Sequence, residues 1–374
     1  MSRRTPFMGR LPKKAENMFK KTKLRFGAVA VVVCAATLFG AISASADPAA
    51  GVFKTLSGVG SDTTQDVVAG LATAVSSIGS YDATGTATIQ TKSGGPVFTR
   101  PNGSGSGVQA LSDSAQGGSH LWNTVDVTGQ VDFARSSSGP SGSGTVLTYI
   151  PFAKDAVSFA VNAASDFPRD IPVGAASQDA TAGIFSLRNI YRCTATSFTD
   201  SNGLPVTIRP LLPQSGSGTR KFWLSTLGLS ETDITAGGCA TDLGNTVEEH
   251  NGTFLTGAGD IAPFSIAQYI AQGNWKSLPS AVIERRGSIV LGQIGGVKPY
   301  NITTAGATLN TGFPVTRNVY NVVQTSRLAE TAVAAAFVGS SSSVCANAAI
   351  IKQYGFGTIG SLCGSTSTTG PYTQ

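Results

Sequence analysis

The chain has 374 residues, with 27 Lys and Arg against 21 Asp and Glu, a formal net charge of +6. The excess sits at the start: residues 1–46 hold nine basic residues and one acid, Glu16, leaving 18 basic and 20 acidic residues, net charge −2, in residues 47–374. The overall basicity therefore argues for no nucleic-acid surface, and 41% hydrophobic residues supply packed cores rather than wholesale disorder.

The basic segment leads into FGAVAVVVCAATLFGAI and then SASA, just before Asp47. Basic region, apolar run and small-residue site, in that order, predict a secretory signal peptide cleaved after Ala46 and a secreted chain. The apolar run is shorter than the ~20 residues a spanning helix needs, so cleavage is expected over a retained anchor. Four cysteines follow: Cys193, Cys239, Cys345 and Cys363. An even count in an exported chain points to disulfides. Three pairings are open, and sequence neighbours, Cys193–Cys239 and Cys345–Cys363, are the expected ones. No CxxC pair exists, and His120 and His250 stand apart from the cysteines, so neither a metal centre nor a cofactor is expected. The length from residue 47 onward suits two domains, and the closing GSTSTTGPYTQ reads as a frayed, flexible tail.

In chain order, GVFKTLSGVG predicts a strand ending in a glycine turn. SDTTQDVVAGLATAVSSIG follows as a helix, with Val67, Val68, Leu71, Val75 and Ile78 on one stripe. Ser61, Asp62 and Thr63 are residues that cap free amides at a helix start. A Ser/Gly loop, GSGSG at 103–107, precedes the next apolar run, and VDFARSSSGPSGSG gives another. DAVSFAVN alternates as a strand, TAGIFSLRNIY reads as a helix and LPVTIRPLL as a strand. TRKFWLSTLGL is then a helix with a glycine near its end. Strands alternating with helices define an α/β fold, and ligands bind in such folds beyond strand ends.

The stretch PQSGSGTRKFW, 213–223, carries the sharpest chemistry. A helix N-terminus offers unpaired N–H groups and a favourable dipole for an anion. Glycine allows close backbone approach, hydroxyls add donors and arginine adds a two-pronged cation. Ser217, Gly218, Thr219 and Arg220 hold all of these parts. A solvated linker with ordinary capping is the plainer meaning of the same residues.

SGVGSDTT, GSGSGVQAL, DFARSSS, IPFAKDAVSFAVN, AGIFSLRNI and SGSGTRKFW occur in this order. Together they resemble the phosphate-binding proteins of bacterial ABC phosphate transporters, within the periplasmic solute-binding superfamily. The resemblance implies a type 2 two-lobed, Venus-flytrap architecture with two chain crossovers. Lobe one would combine 47–155 with 265–374, and lobe two would be 156–264. It implies a first ligand loop at Ser61, Asp62 and Thr63, a second ligand serine at Ser104, and a third set at Ser217, Gly218 and Thr219. The family commonly carries, where this chain has Ser137, an aspartate that accepts a proton from phosphate and helps reject sulfate. It often carries an arginine where this chain has Pro213. Arg135 and Arg220 lie beside those altered positions as candidates to supply charge. The implied protein is a monomeric binder of phosphate or a related oxyanion, with an ABC permease as partner. No G-x-S-x-G elbow or Walker A loop is present, so no catalysis is expected. Alternatives are an adhesin or carbohydrate binder stacking sugars on Trp122, Trp223, Trp275, Tyr149 or Tyr269, or a hydrolase built around His120 or His250.

Overall fold

The computed structural model describes residues 47–178, 184–280, 282–304 and 306–373; the expected signal segment, 1–46, lies outside them. Strand–helix alternation becomes one mixed sheet, nine-stranded among the described residues. Its strands are β1 (Leu56–Gly60), β2 (Ile78–Ser80), β3 (Phe133–Ser136), β4 (Leu147–Asn162), β5 (Arg209–Pro210), β6 (Asp260–Ser265), β7 (Ile289–Leu291), β8 (Thr316–Gln324) and β9 (Thr369–Gly370). The order is β2-β1-β3-β8-β4-β6-β5, with β7 and β9 also paired to β4. β1 runs parallel to β2 and β3, whereas β6 and β8 run antiparallel to β4.

β4 organises the molecule. The alternation in DAVSFAVN extends in the structure to a 16-residue strand, buried except at Lys154 and Asn162. Residues 147–156 of β4 pair with β8, and residues 157–162 pair with β6 and β7. The core divides with them. Leu56, Val67, Phe133, Ile150, Phe152 and Val319 form one cluster; Val157, Phe159, Tyr191, Trp223, Ile261 and Phe313 form another. Each fully buried aromatic here contributes roughly 1.5–3 kcal/mol through burial. Ile294, Leu309, Phe313 and Val315 also belong to the second cluster. The cause is β7, whose pairing on the far end of β4 holds this stretch there until β8 returns.

Four helices position the site: α1 (Gln65–Ala74), α2 (Gly103–Gln116), α3 (Gly218–Leu227) and α4 (Ile266–Gly273). Val67, Val68 and Leu71 form the expected buried stripe of α1, but the helix stops at Ala74. Ile78 enters β2 opposite Leu56 instead, so it is buried by the sheet and not by helical phase. GSGSG, expected as a loop, is the first turn of α2. Small residues are needed there, because a Cβ on Gly107 would lie 2.4 Å from the Gly60 Cα. Gly60, at φ +110°, also takes a conformation that side chains disfavour. The α3 prediction holds: Ser217 caps it by accepting from the Thr219 and Arg220 amides, and Gly228 ends it at φ 63°.

TAGIFSLRNIY yields a short helix, Leu187–Tyr191, and residues 179–183 lie outside the described set. LPVTIRPLL splits into Pro205–Thr207, which pairs with Ser197–Thr199, and β5. The tail does not fray. β9 pairs with Leu147 and Thr148 of β4, and the Thr373 amide donates to Ser112 Oγ at 3.1 Å; paired backbone groups anchor it. Both expected disulfides are formed, Cys193–Cys239 and Cys345–Cys363, with Cα separations of 5.7 and 5.8 Å. No helix among the described residues is long and apolar enough to cross a membrane.

Candidate functional site

The Ser/Gly segments singled out in the sequence converge. The first turn of α2 meets the start of α3, where the Gly105 amide donates to the Gly216 carbonyl at 3.0 Å. Ser104 Oγ accepts from the Ser137 amide at 2.9 Å and lies 3.2 Å from Ser137 Oγ. Gly218 packs so close that a Cβ would sit 2.5 Å from Ser104 Oγ and 2.6 Å from Ser137 Oγ. A cavity of about 180 Å³ opens here, bordered by Ser104, Gly105, Ser138, Ser141, Ser217 and Lys221.

Behind Ser217 the site becomes wholly buried. Thr63 Oγ1, from the β1–α1 loop, and Thr219 Oγ1, from the first turn of α3, donate to Glu249 Oε1 at 2.5 and 2.6 Å. Ser217 Oγ donates to Glu249 Oε2 at 2.8 Å. Arg317 of β8 donates through Nη2 to Thr219 Oγ1 at 2.7 Å and, more weakly, to Thr63 Oγ1 at 3.4 Å. The hydroxyls thus relay the positive guanidinium to the carboxyl group. Arg317 is tethered to Asp155 of β4 by an ion pair of 2.9 Å and stacks over Phe222, 5.3 Å from the ring centre. Its Nη1 is buried with no hydrogen-bond partner, as are Asp62 Oδ1, Ser61 Oγ and Thr64 Oγ1.

One guanidinium faces several carboxyls. Burial pushes the Asp62, Asp155 and Glu249 carboxyls above the usual range, and Arg317 opposes the shift in all three. The like charge of neighbouring Asp62 adds to the upward shift of Glu249. His250, 1% exposed, lies beside them. Arg285 Nη1 sits 2.7 Å from His250 Nε2, and Asp62 Oδ2 lies 3.3 Å from Nδ1. Because arginine only donates, Nε2 accepts and Nδ1 carries the proton towards Asp62. Burial lowers the His250 pKa, which keeps the ring neutral. Asp62, Glu248 and His250 bring ligand-capable atoms within 4.8 Å of one another. Arg285 already fills the Nε2 side, so a cation there would have to displace a fixed positive charge.

The residues expected from sequence separate into three groups. Asp62, Thr63, Ser217 and Thr219 meet at the buried carboxyl, with Ser61 in the same loop. Ser104 and Gly218 line the cavity, and Ser137 is buried behind Ser104. Arg135 and Arg220 face elsewhere. Arg135 is fully buried and donates to the carbonyls of Gly58, Gly60 and Ser61 and to Ser80 Oγ at 2.9–3.2 Å. It supports the loop from beneath, and burial lowers its pKa to about 10. Arg220 forks onto Glu231 at 2.7 and 2.8 Å and reaches Asp242 at 3.1 Å. Glu249, Arg317 and Asp155 were not anticipated. The clue for Arg317 lies in TRNVYNVV, where it occupies the same buried phase as Val319; a charge in that phase must have a partner. Trp223 is fully buried and edge-on to Tyr191, which removes it as a sugar platform.

The mixed sheet, its packed core clusters and the hydroxyls converging at a helix N-terminus describe an α/β protein with a polar, partly buried site. Residues 45–339 match the family model described as a PBP superfamily domain, and the chain belongs to that superfamily of two-lobed binding proteins. No curated protein sequence matches it. Among solved structures it is similar to a proposed phosphate ABC transporter substrate-binding protein with bound phosphate from Clostridium perfringens, at 15% identity and TM-score 0.49, covering 81% of this chain and 99% of that one. It is also similar to an ABC-type phosphate transport receptor from Vibrio cholerae, at 16% identity and TM-score 0.48, covering 81% and 100%. A phosphate-binding protein from Stenotrophomonas maltophilia matches at 13% identity and TM-score 0.42, covering 83% and 91%.

Proposed function

We propose that the chain is an exported solute-binding protein that captures phosphate or a related small oxyanion, without covalent chemistry. One observation carries the reading: the Thr63, Ser217 and Thr219 hydroxyls converge on the two oxygens of one buried carboxyl group, with Arg317 behind two of them. Those carboxyl oxygens stand for the oxygens of a bound anion. Hydroxyls at a helix start, backed by a guanidinium, form the donor set an oxyanion needs. Arg317 supplies the charge missing at Pro213, in place of Arg135 or Arg220.

In this reading the two core clusters are lobes, joined by β4 and β8, and binding closes them by a hinge motion. A monomer suffices, because one chain contributes every residue of the cradle. The partner this class implies is the permease of an ABC importer. Calorimetric titration of phosphate and sulfate into the wild type and Thr219→Ala tests the reading. Loss of the hydroxyl donor should cost about 1.5–3 kcal/mol, a fall of about tenfold to a hundredfold in affinity. Failure of either anion to bind the wild type or any cradle variant would refute the oxyanion assignment.

A further inference from the structure

Three hydroxyls are already committed at the cradle, and all go to Glu249. The residue belongs to neither helix that builds the cradle; it lies on the segment before β6, where the Glu249 carbonyl accepts from the Ser265 amide at 3.0 Å. Its neighbour His250 is fixed by Gln272, whose side chain donates to the His250 carbonyl at 2.7 Å. The backbone here is held, so side-chain rotation is the direct way to vacate the cradle. Ser217 borders the 180 Å³ cavity and also donates to Glu249, so the route inward ends at this carboxyl group.

We propose that Glu249 is an internal ligand of the cradle, and that an incoming oxyanion binds by displacing its carboxyl group. The inference rests on the oxyanion reading above. Two oxygens leave part of the donor set unused: Arg317 Nη1 has no hydrogen-bond partner, although Nη2 of the same fork serves two cradle hydroxyls. A four-oxygen anion has acceptors to spare for it. Asp62 Oδ1, buried without a partner, is a further acceptor beside the cradle. Asp62 then accepts a proton from a protonated oxyanion, the task for which Ser137 lacks a carboxylate.

The groups facing Glu249 set the proton balance. Asp62 comes from the β1–α1 loop, Arg317 from β8 with Asp155 of β4 behind it, and Glu248 and His250 from its own segment, with Arg285 beyond. Inside this cluster burial raises the Glu249 pKa, and rotation to solvent removes that desolvation.

The test compares phosphate affinity of the wild type, Glu249→Ala and Glu249→Gln by calorimetry, with acetate-induced shifts in Tm as a second probe. If the internal carboxyl leaves about a tenth of molecules open, its removal raises phosphate affinity about tenfold. Acetate should raise the Tm of Glu249→Ala and leave the wild type unchanged, because the vacated cradle accepts a free carboxylate. Should the alanine variant fail to fold, Glu249→Gln keeps the volume without the acid and should also gain affinity. Phosphate affinity equal to or below wild type in the folded variants overturns the internal-ligand proposal while leaving the oxyanion reading intact. Acetate binding to Glu249→Ala with no phosphate binding anywhere sustains the internal ligand and removes phosphate as the solute. Binding of neither probe to any variant overturns both.

Discussion

Replacing Arg317 with Gln separates its two roles, because they respond differently to a second substitution. In stability, Arg317 compensates Asp155, a fully buried carboxylate that also accepts from Ser265 Oγ at 3.0 Å and the Ala267 amide at 3.2 Å. Removing one partner of such a pair costs about 3–5 kcal/mol, mostly from the charge left behind. Adding Asp155→Asn removes that charge, so Arg317→Gln/Asp155→Asn should recover most of the loss. In binding, Arg317 supplies the cation, and no second substitution restores it. Loss of a charge-assisted contact of about 1.5–3 kcal/mol lowers phosphate affinity about tenfold to a hundredfold. Urea unfolding gives the first quantity and calorimetry the second, on the single and double variants. A double variant that is stable and binds phosphate like the wild type would refute the assignment of Arg317 to the ligand.

Two further outcomes follow from charges elsewhere. Burial and neighbouring Asp82 raise the Asp66 pKa from 3.8 to about 7. A raised folded pKa contributes stability present below pH 3.8 and lost as pH climbs through 7, about 4 kcal/mol when lost completely. Asp66→Asn should flatten unfolding free energy against pH between 4 and 8 and exceed the wild type at pH 8; parallel profiles would contradict this. Arg220→Gln should leave phosphate affinity unchanged, because Glu231 and Asp242 hold that guanidinium away from the cradle. Its stability cost should be about 1 kcal/mol or less for a pair whose Glu231 is 60% exposed, and a tenfold loss of phosphate binding would return Arg220 to the site.

What the sequence revealed followed from local chemistry. Ser217 to Arg220 declared a capped helix start because side chains and amides at that end interact within one turn. Periodicity located the buried face of α1, and alternation located part of β4. What stayed hidden depended on partners distant in the chain. Arg135 seemed to offer charge beside Ser137, yet its guanidinium is consumed by carbonyls of residues 58–61, which adjacent strand pairing brings within reach. Glu249 lay in EEHNG, where nothing local distinguishes a solvated acid from one that enters a cradle some 186 positions from Thr63. The tail, rich in Ser, Thr and Gly, had the composition of a loose end; its pairing with β4 is a long-range fact.

The two disulfides sit on opposite sides of this division. Cys363 packs with the cluster around Phe152, and the Cys193–Cys239 bridge adjoins Tyr191 and its neighbours in the other. Neither sulfur bridge spans the seam where the cradle lies. Each bridge therefore braces the packing of its own cluster, and the chain itself, through β4, is the covalent link between the two. A reductant would lower the melting temperature by loosening each cluster, without cutting any link between the two.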